Sequence, residues 1–276
     1  MKNLFIKTSS ALIIVGVLYQ FSSAQQFLFQ TQPKDKSQFG IRFLKPNFED
    51  DLDFTTFSGT YDLYANIPLG KNFNLMFSLP YSTYADDEES ESEVGDIYLG
   101  LQSRKISGRN TNSTYSLGIF LPTASEDDFT ANFISMLANY YQVERYLPNT
   151  LTIYGNYAHQ IKQASGALFS FEIGPTLLFP TDQDEGEDRE TELMMHYGLS
   201  AGFQFGKLAI LGELVGLAFI TEDVDDFSDR FIHTLTFGAQ GTGRVINPGL
   251  FYSIYLKDEF REFVDGILGI KVDVTL

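Results

Sequence analysis

The chain has no cysteine and few basic residues. Its 19 Lys and Arg stand against 36 Asp and Glu, which gives a formal net charge of −17. The lack of cysteine excludes disulfide bonds, thiol catalysis and cysteine-ligated metal sites. The acidic balance repels nucleic acid and anionic lipid headgroups, so we expect no nucleic-acid partner.

Long apolar runs are also absent after residue 24, because no later stretch approaches the roughly 18 apolar residues of a transmembrane helix. The run "ALIIVGVL" near the start follows Lys2 and Lys7 and precedes Ala24. This pattern predicts a secretory signal peptide over residues 1–24, cleaved after Ala24, rather than a membrane anchor. We therefore expect a short N-terminal arm (25–38) followed by a single domain (39–276).

What the sequence does contain is alternation with period two, together with 26 Phe and 15 Tyr. Aromatic residues and alternation both favour strands with one apolar and one polar face. The last run is the clearest example: Leu268, Ile270, Val272, Val274 and Leu276 share one face, and Lys271, Asp273 and Thr275 share the other. The sequence therefore predicts an all-β protein.

Thirteen runs fit this pattern: 41–45, 57–67, 73–81, 94–105, 115–121, 129–144, 151–161, 168–179, 193–206, 208–221, 230–240, 249–256 and 266–276. Short turns and longer acidic connections join them, as in an outer-membrane barrel. Since a bacterial single-chain barrel has an even number of strands, we predict twelve, with ten or fourteen as alternatives. The doubtful runs are 41–45 and the pair 151–161 and 168–179.

A soluble β-sandwich would also alternate, but its strands commonly have about 5–6 residues. Several runs here reach about 10–12 residues, the length that a tilted strand needs to cross a bilayer. The prediction is an antiparallel transmembrane β-barrel in the outer membrane of a Gram-negative cell, in contact with outer-membrane lipid.

Two segments resemble a known group of proteins. "GDIYLGLQSRK" (95–105) and "YSLGIFLPTAS" (115–125) are similar to outer-membrane β-barrels of the phenol meta-pathway transporter type, which are distantly FadL-like. The resemblance implies a passive channel for small, apolar or aromatic solutes. The C-terminal "GILGIKVDVTL" resembles the terminal strand that the barrel-assembly machinery recognises, which makes that machinery an expected partner.

The chain departs from this group in three places. Leu276 ends the chain where an aromatic residue is usual, and Ala124 stands where the group has glycine after Pro-Thr. The predicted arm is also too short to build the N-terminal plug of FadL channels.

Seven charged residues fall on the polar phase of the runs, where they would face the lumen and contact a solute: Arg42, Asp62, Asp96, Arg104, Glu172, Glu213 and Lys271. They would set the electric field of an open pore. In a narrow barrel they could instead pair with one another and fill the interior. The sequence leaves both possibilities open.

Catalytic and metal sites have weaker support. His159 lies near Ser165 and His196 shares a phase with Ser200, but no motif surrounds either pair. Asp182, Asp184 and Asp188 form a loose candidate for a cation-binding loop, although Gly186 stands where a third oxygen ligand is needed. We therefore expect no enzyme, cofactor or metal.

The leading hypothesis is thus a passive channel for a small-molecule solute. A closed structural or surface-interaction barrel with acidic extracellular loops is the alternative, and a lipid-modifying barrel enzyme is a third.

Overall fold

A computed structural model of the chain describes residues 36–48, 58–85, 89–107, 110–126, 129–181, 190–222 and 226–276. The expected signal peptide and nearly all of the expected arm lie outside these residues and remain predictions. No helix in the described residues has the length and apolar character needed to cross a bilayer.

Antiparallel strands dominate the described structure. They are β1 (Gln38–Phe48), β2 (Gly59–Pro68), β3 (Phe73–Ala85), β4 (Ser90–Val94), β5 (Ile97–Ser107), β6 (Thr111–Leu121), β7 (Thr150–Lys162), β8 (Ala167–Pro180), β9 (Glu192–Phe205), β10 (Leu208–Phe219), β11 (Phe231–Gly241), β12 (Ile246–Tyr255) and β13 (Val264–Thr275). The connections contain helix α1 (Phe129–Ala138), helix α2 (Asp258–Arg261) and the 3₁₀ helices Tyr140–Arg145 and Phe227–Arg230.

The sheet closes into a barrel of twelve strands. β1 pairs with both β13 and β2, and β2 pairs in turn with β3, which completes the ring. β4 and β5 together form one strand, because both pair with β3 and only Gly95 and Asp96 separate them. The predicted twelve-stranded antiparallel barrel is confirmed.

One predicted strand is wrong. Run 129–144 folds as α1 and the 3₁₀ helix that follows it, whereas the doubtful runs 41–45, 151–161 and 168–179 all lie in strands. The buried residues Ala131, Ile134 and Ala138 recur at the helical spacing of three and four. The same run also has apolar residues at alternate positions, so its sequence fits both periods and only burial separates them.

Alternation along each strand separates an apolar outer wall from a polar inner wall. On the outside, Leu199 and Ile270 are 62% and 47% exposed, whereas the inward Glu213 and Lys271 are 2% and 3% exposed. Soluble monomers rarely expose continuous apolar surface on this scale. The outer wall therefore suits a bilayer, and the soluble β-sandwich is excluded.

The connections differ between the two ends of the barrel. At one end, the strands are joined by two to four residues, at 69–72, 108–110, 163–166, 206–207 and 242–245; at the other end the connections are 49–58, 86–89, 122–149, 181–191, 220–230 and 256–263, and all but 86–89 are longer. The connections of the first end contain Lys71, Arg109, Lys207 and Arg244 but no acidic residue, whereas every connection of the second end contains acids. Since outer-membrane barrels have their longer loops outside the cell, we expect the acidic end to be extracellular.

Candidate functional site

The connection between β6 and β7 enters the barrel. Its helix α1 packs against β1, β2 and β3, and residues 141–145 of its 3₁₀ helix are buried. We call residues 129–149 the inward segment. Because it occupies the lumen near the acidic end, any passage through the barrel must run past it.

One side of the inward segment is sealed by apolar contacts. Leu137, Ala138 and Tyr141 belong to one cluster with inward side chains of β1 and β10–β13 and with Leu168 of β8; the other members are Leu44, Ala209, Leu211, Val215, Ile232, Phe251, Tyr255, Val264 and Ile267. The hydroxyl of Tyr255 also donates to the carbonyl of Leu137 at 2.6 Å. Burying a side chain such as Leu137 contributes about 1.5–3 kcal/mol, so this side stays closed.

The side facing β2 and β3 is held by charges. Arg145 Nη1 lies 3.1 Å from Asp62 Oδ2 and donates to Ser78 Oγ at 2.6 Å. Arg42 Nη2 donates to the same Asp62 oxygen at 2.8 Å and to Gln142 Oε1 at 3.0 Å. Asp62 on the wall therefore links one arginine of the wall to one arginine of the inward segment.

The start of the connection is anchored by Asp96, which lies in the interruption between β4 and β5. Its Oδ1 accepts hydrogen bonds from the backbone N–H groups of Thr123 and Ala124, at 2.8 and 2.9 Å. The Thr123 hydroxyl donates back to the carbonyl of Gly95 at 2.8 Å. These bonds determine the direction in which the chain leaves β6.

Two acids of β4 continue this anchor. Glu93 Oε1 accepts from the N–H of Ser125 at 3.0 Å, and Glu91 Oε2 accepts from the N–H of Ala131 at 3.2 Å, in the first turn of α1. A carboxylate at a helix N-terminus is favourable because that end carries unsatisfied N–H groups and partial positive charge. Glu91 and Glu93 thus position the inward segment.

Aromatic side chains line the interior on β5, β6 and β7. The ring centroids of Tyr98 and Phe120 are 4.8 Å apart, and Tyr154 lies edge-on to Tyr98 at 6.3 Å. The Tyr154 ring also stacks on the His196 imidazole of β9 at 4.5 Å. Together they form a continuous aromatic surface on the inner wall.

Glu144 of the inward segment lies beside this surface. The side chain is buried, and neither carboxylate oxygen forms a hydrogen bond with another described residue; only its own backbone N–H lies near enough to stabilise the charge by hydrogen bonding. Burial raises the pKa of Glu144 to about 7, although its own N–H and the nearby Arg145 act in the opposite direction. The carboxyl group can therefore change charge near neutral pH.

The structure gives a position to each of the seven charged candidates. Six are on the inward phase of strands, and Asp96 lies at the strand interruption: Arg42, Asp62, Arg104, Glu172, Glu213, Lys271 and Asp96. The structure joins Arg42 to Asp62, and Lys271 Nζ lies 3.5 Å from Asp273 Oδ2. That these seven residues contact a solute remains a prediction.

Glu144 and Arg145 were not predicted as site residues, because Glu144 ends the run assigned to a strand and Arg145 directly follows that run. The helical spacing of its buried residues is the signal that could have located them. The aromatic pair Tyr98 and Tyr154 was also missed, because alternation alone does not distinguish a Tyr facing the lumen from one at the membrane interface.

The two histidine–serine pairings taken from the sequence do not form. His196 Nδ1 lies 3.3 Å from Thr176 Oγ1, and His159 Nδ1 lies 2.8 Å from Ser113 Oγ on the outer wall. The cation-loop candidates Asp182, Asp184 and Asp188 lie outside the described residues. Among the described residues, no cluster of three or more His, Asp or Glu could hold a metal.

An apolar groove of about 480 Å³ crosses the outer wall over β7 to β11. Phe171, Leu199 and Leu214 are among its lining residues, and all three lie on the lipid-facing phase. The groove therefore faces lipid, so it is not the solute path.

No protein-family model matches the chain, and no curated protein matches its sequence. Solved structures match its fold. An outer membrane channel from Pseudomonas putida F1 has a TM-score of 0.62 at 11% identity, and the match covers 92% of this chain and 100% of that one. The NanC porin has a TM-score of 0.53 at 8% identity, and the match covers 86% of this chain and 98% of that one.

Identities this low establish the fold alone, and the phenol meta-pathway and FadL-like assignments stay predictions. With its apolar outer wall, the chain folds as an outer-membrane β-barrel.

Proposed function

We propose that the protein is an outer-membrane channel for small solutes and that the inward segment narrows its passage. The observation that carries the proposal is the polar and charged inner wall, which includes Asp62, Glu213 and Lys271. A barrel interior that served only to hold the fold would be more stable with apolar residues, since buried charges are costly. A polar interior is typical of barrels that enclose a water-filled channel.

Aromatic residues inside the barrel favour solutes with an aromatic or apolar body. Tyr98, Phe120 and Tyr154 lie on one part of the wall, and Phe251 and Tyr255 lie on another. Such rings bind flat apolar groups by stacking and burial of surface. Positioning and binding are sufficient for this role, so we propose that the protein has no catalytic activity.

The test is reconstitution of the purified full chain. We expect stepwise conductance in planar bilayers and solute-dependent swelling of proteoliposomes. Replacing residues 129–141 by a short Gly–Ser linker should raise conductance several-fold, because it removes the helix from the lumen. Shortening 256–263, another connection at the same end, is the matched control. A protein that is folded but gives neither conductance nor swelling would overturn the proposal.

A closed interaction barrel is the second candidate, favoured by the apolar seal around Leu137 and Tyr141. Replacing the acidic residues of connections 86–89 and 181–191 by Asn and Gln should then abolish binding of a cation or partner while the barrel stays folded. Unchanged binding would contradict this candidate. If the barrel is closed, the variant in which the Gly–Ser linker replaces residues 129–141 should also remain non-conducting.

A further inference from the structure

Glu144 is an unpaired acid inside the barrel. The residue is 1% exposed, and its carboxylate oxygens are bonded to no other described residue. The adjacent Arg145 directs its guanidinium to Asp62 and Ser78 instead. A buried carboxylate without a counter-ion is costly, so this position favours a positively charged partner.

Two tyrosine hydroxyls near this carboxylate are also unpartnered. The hydroxyls of Tyr98 and Tyr154 are buried without a hydrogen-bond partner and lie close enough to Glu144 to interact with it electrostatically. On the far side of the Tyr154 ring, the stacked His196 has an unpartnered Nε2 as well. A neutral hydrocarbon would leave these atoms unsatisfied, and an anion would be repelled by Glu144. A group with a positive charge and N–H donors complements the set.

The aromatic surface beside Glu144 already accommodates a cation. The guanidinium carbon of Arg145 lies 5.8 Å from the centroid of the Phe120 ring, within the range of a cation–π interaction. Tyr98 and Tyr154 extend the same surface. These rings and Glu144 are at most 3% exposed, so a solute has to enter between the inward segment and the wall to place its apolar body on the rings and its charge against Glu144.

The entrance to the barrel favours cations too. Acidic residues outnumber basic ones in each of the six connections that lie at the same end of the barrel as Glu144. A mouth with net negative charge raises the local concentration of cations. This observation is independent of the geometry around Glu144.

We propose that Glu144 and the aromatic surface formed by Tyr98, Phe120 and Tyr154 recognise solutes that carry an ammonium group on an aromatic or apolar body, and that Glu144 binds the ammonium group. Tyr98 and Tyr154 contribute hydroxyl oxygens and ring surface. The inference rests on the proposed channel function and specifies its substrate class.

The test uses the purified full chain and three probes that share one ring: benzylammonium, benzyltrimethylammonium and benzyl alcohol. Block of the KCl current in planar bilayers measures binding in the channel, and titration calorimetry of the protein in detergent measures it without conduction. Glu144→Gln removes the charge and keeps the shape. Glu262→Gln is the matched control, since Glu262 is exposed on a connection at the same end.

We expect benzylammonium to bind about tenfold more tightly than benzyl alcohol, as one charge-assisted hydrogen bond can provide. The trimethyl probe should fall between them, because it keeps the charge without N–H donors. Glu144→Gln should abolish the preference, and Glu262→Gln should retain it. Equal binding of the ammonium and alcohol probes, or an unchanged preference in Glu144→Gln, would overturn the inference.

Failure of the proposed function is distinguishable from failure of this site. A protein without KCl current that still binds benzylammonium through Glu144 would refute the channel and retain the site. A protein that conducts KCl but shows no preference for benzylammonium over benzyl alcohol would retain the channel and refute the site. Heat-modifiable migration on gels confirms that each variant is folded.

Discussion

Arg145 of the inward segment places its Nη1 atom 3.1 Å from Oδ2 of Asp62 on the barrel wall. Arg42 donates to the same oxygen at 2.8 Å, and all three side chains are buried. The Asp62 carboxylate therefore connects the inward segment to the wall. Since the opposite side of the segment is held by apolar packing, this polar contact is the one that single substitutions can release.

We predict that Asp62→Asn both destabilises the protein and increases its conductance. The change leaves two buried guanidinium groups without a counter-ion, which costs about 3–5 kcal/mol when a buried pair is broken. Urea unfolding in detergent and single-channel recording measure the two effects. Asp258→Asn is the control, because its pair with Arg261 is exposed and should contribute little. An unchanged conductance in Asp62→Asn would show that the pair does not hold the segment.

The hydrogen bonds that Asp96, Glu91 and Glu93 make with the β6–β7 connection should also hold the inward segment in place. Asp96→Ala removes the acceptor for the N–H groups of Thr123 and Ala124, at a cost of about 1–3 kcal/mol for each group left buried. We expect more frequent channel openings, and a further increase when Glu91→Ala and Glu93→Ala are added. Glu259→Ala, on an exposed part of another connection, should open no more often than the unaltered protein. Identical recordings for all variants would contradict the anchoring role.

Close packing of Tyr98 over Gly118 predicts a steric effect. A Cβ atom added at Gly118 would lie 2.3 Å from atoms of the Tyr98 ring, so the ring would have to move. We expect Gly118→Ala to cost about 1–3 kcal/mol and to weaken benzylammonium block. Gly155→Ala is the control, since its nearest neighbour would be at an ordinary 3.6 Å. Equal urea midpoints for the two variants would contradict this packing argument.

Recognition of ammonium probes should depend on pH. Burial raises the pKa of Glu144 to about 7, so the carboxyl group is charged above this pH and neutral below it. Benzylammonium keeps its charge over the same range, and the groups facing Glu144 are Arg145, Tyr98 and Tyr154. The preference over benzyl alcohol should therefore be present above about pH 7 and decline as the pH falls. Block measured across this range should show no such decline in Glu144→Gln.

The inward or outward orientation of many residues in the barrel wall could be predicted from the sequence alone. The opposite orientations of neighbouring residues follow from the period of a strand, so Ile270 faces outward and Lys271 inward as expected. For the acidic stretch 85–93 the sequence predicts a solvated loop, and the tip of that stretch lies outside the described residues. Glu91 and Glu93 nevertheless bind backbone N–H groups of the β6–β7 connection, which no pattern within the stretch indicates.

Residue patterns were thus enough to predict the barrel, its twelve strands and the separation of an apolar outer wall from a polar lumen. These properties depend on local alternation and on the need to pair every backbone group in a membrane. The inward turn of residues 129–149 and the meeting of Glu144 with Tyr98 and Tyr154 became visible only in the folded chain. Those contacts join residues far apart in the sequence, and they exist because closure of the sheet brings β2, β5 and β7 around the same segment.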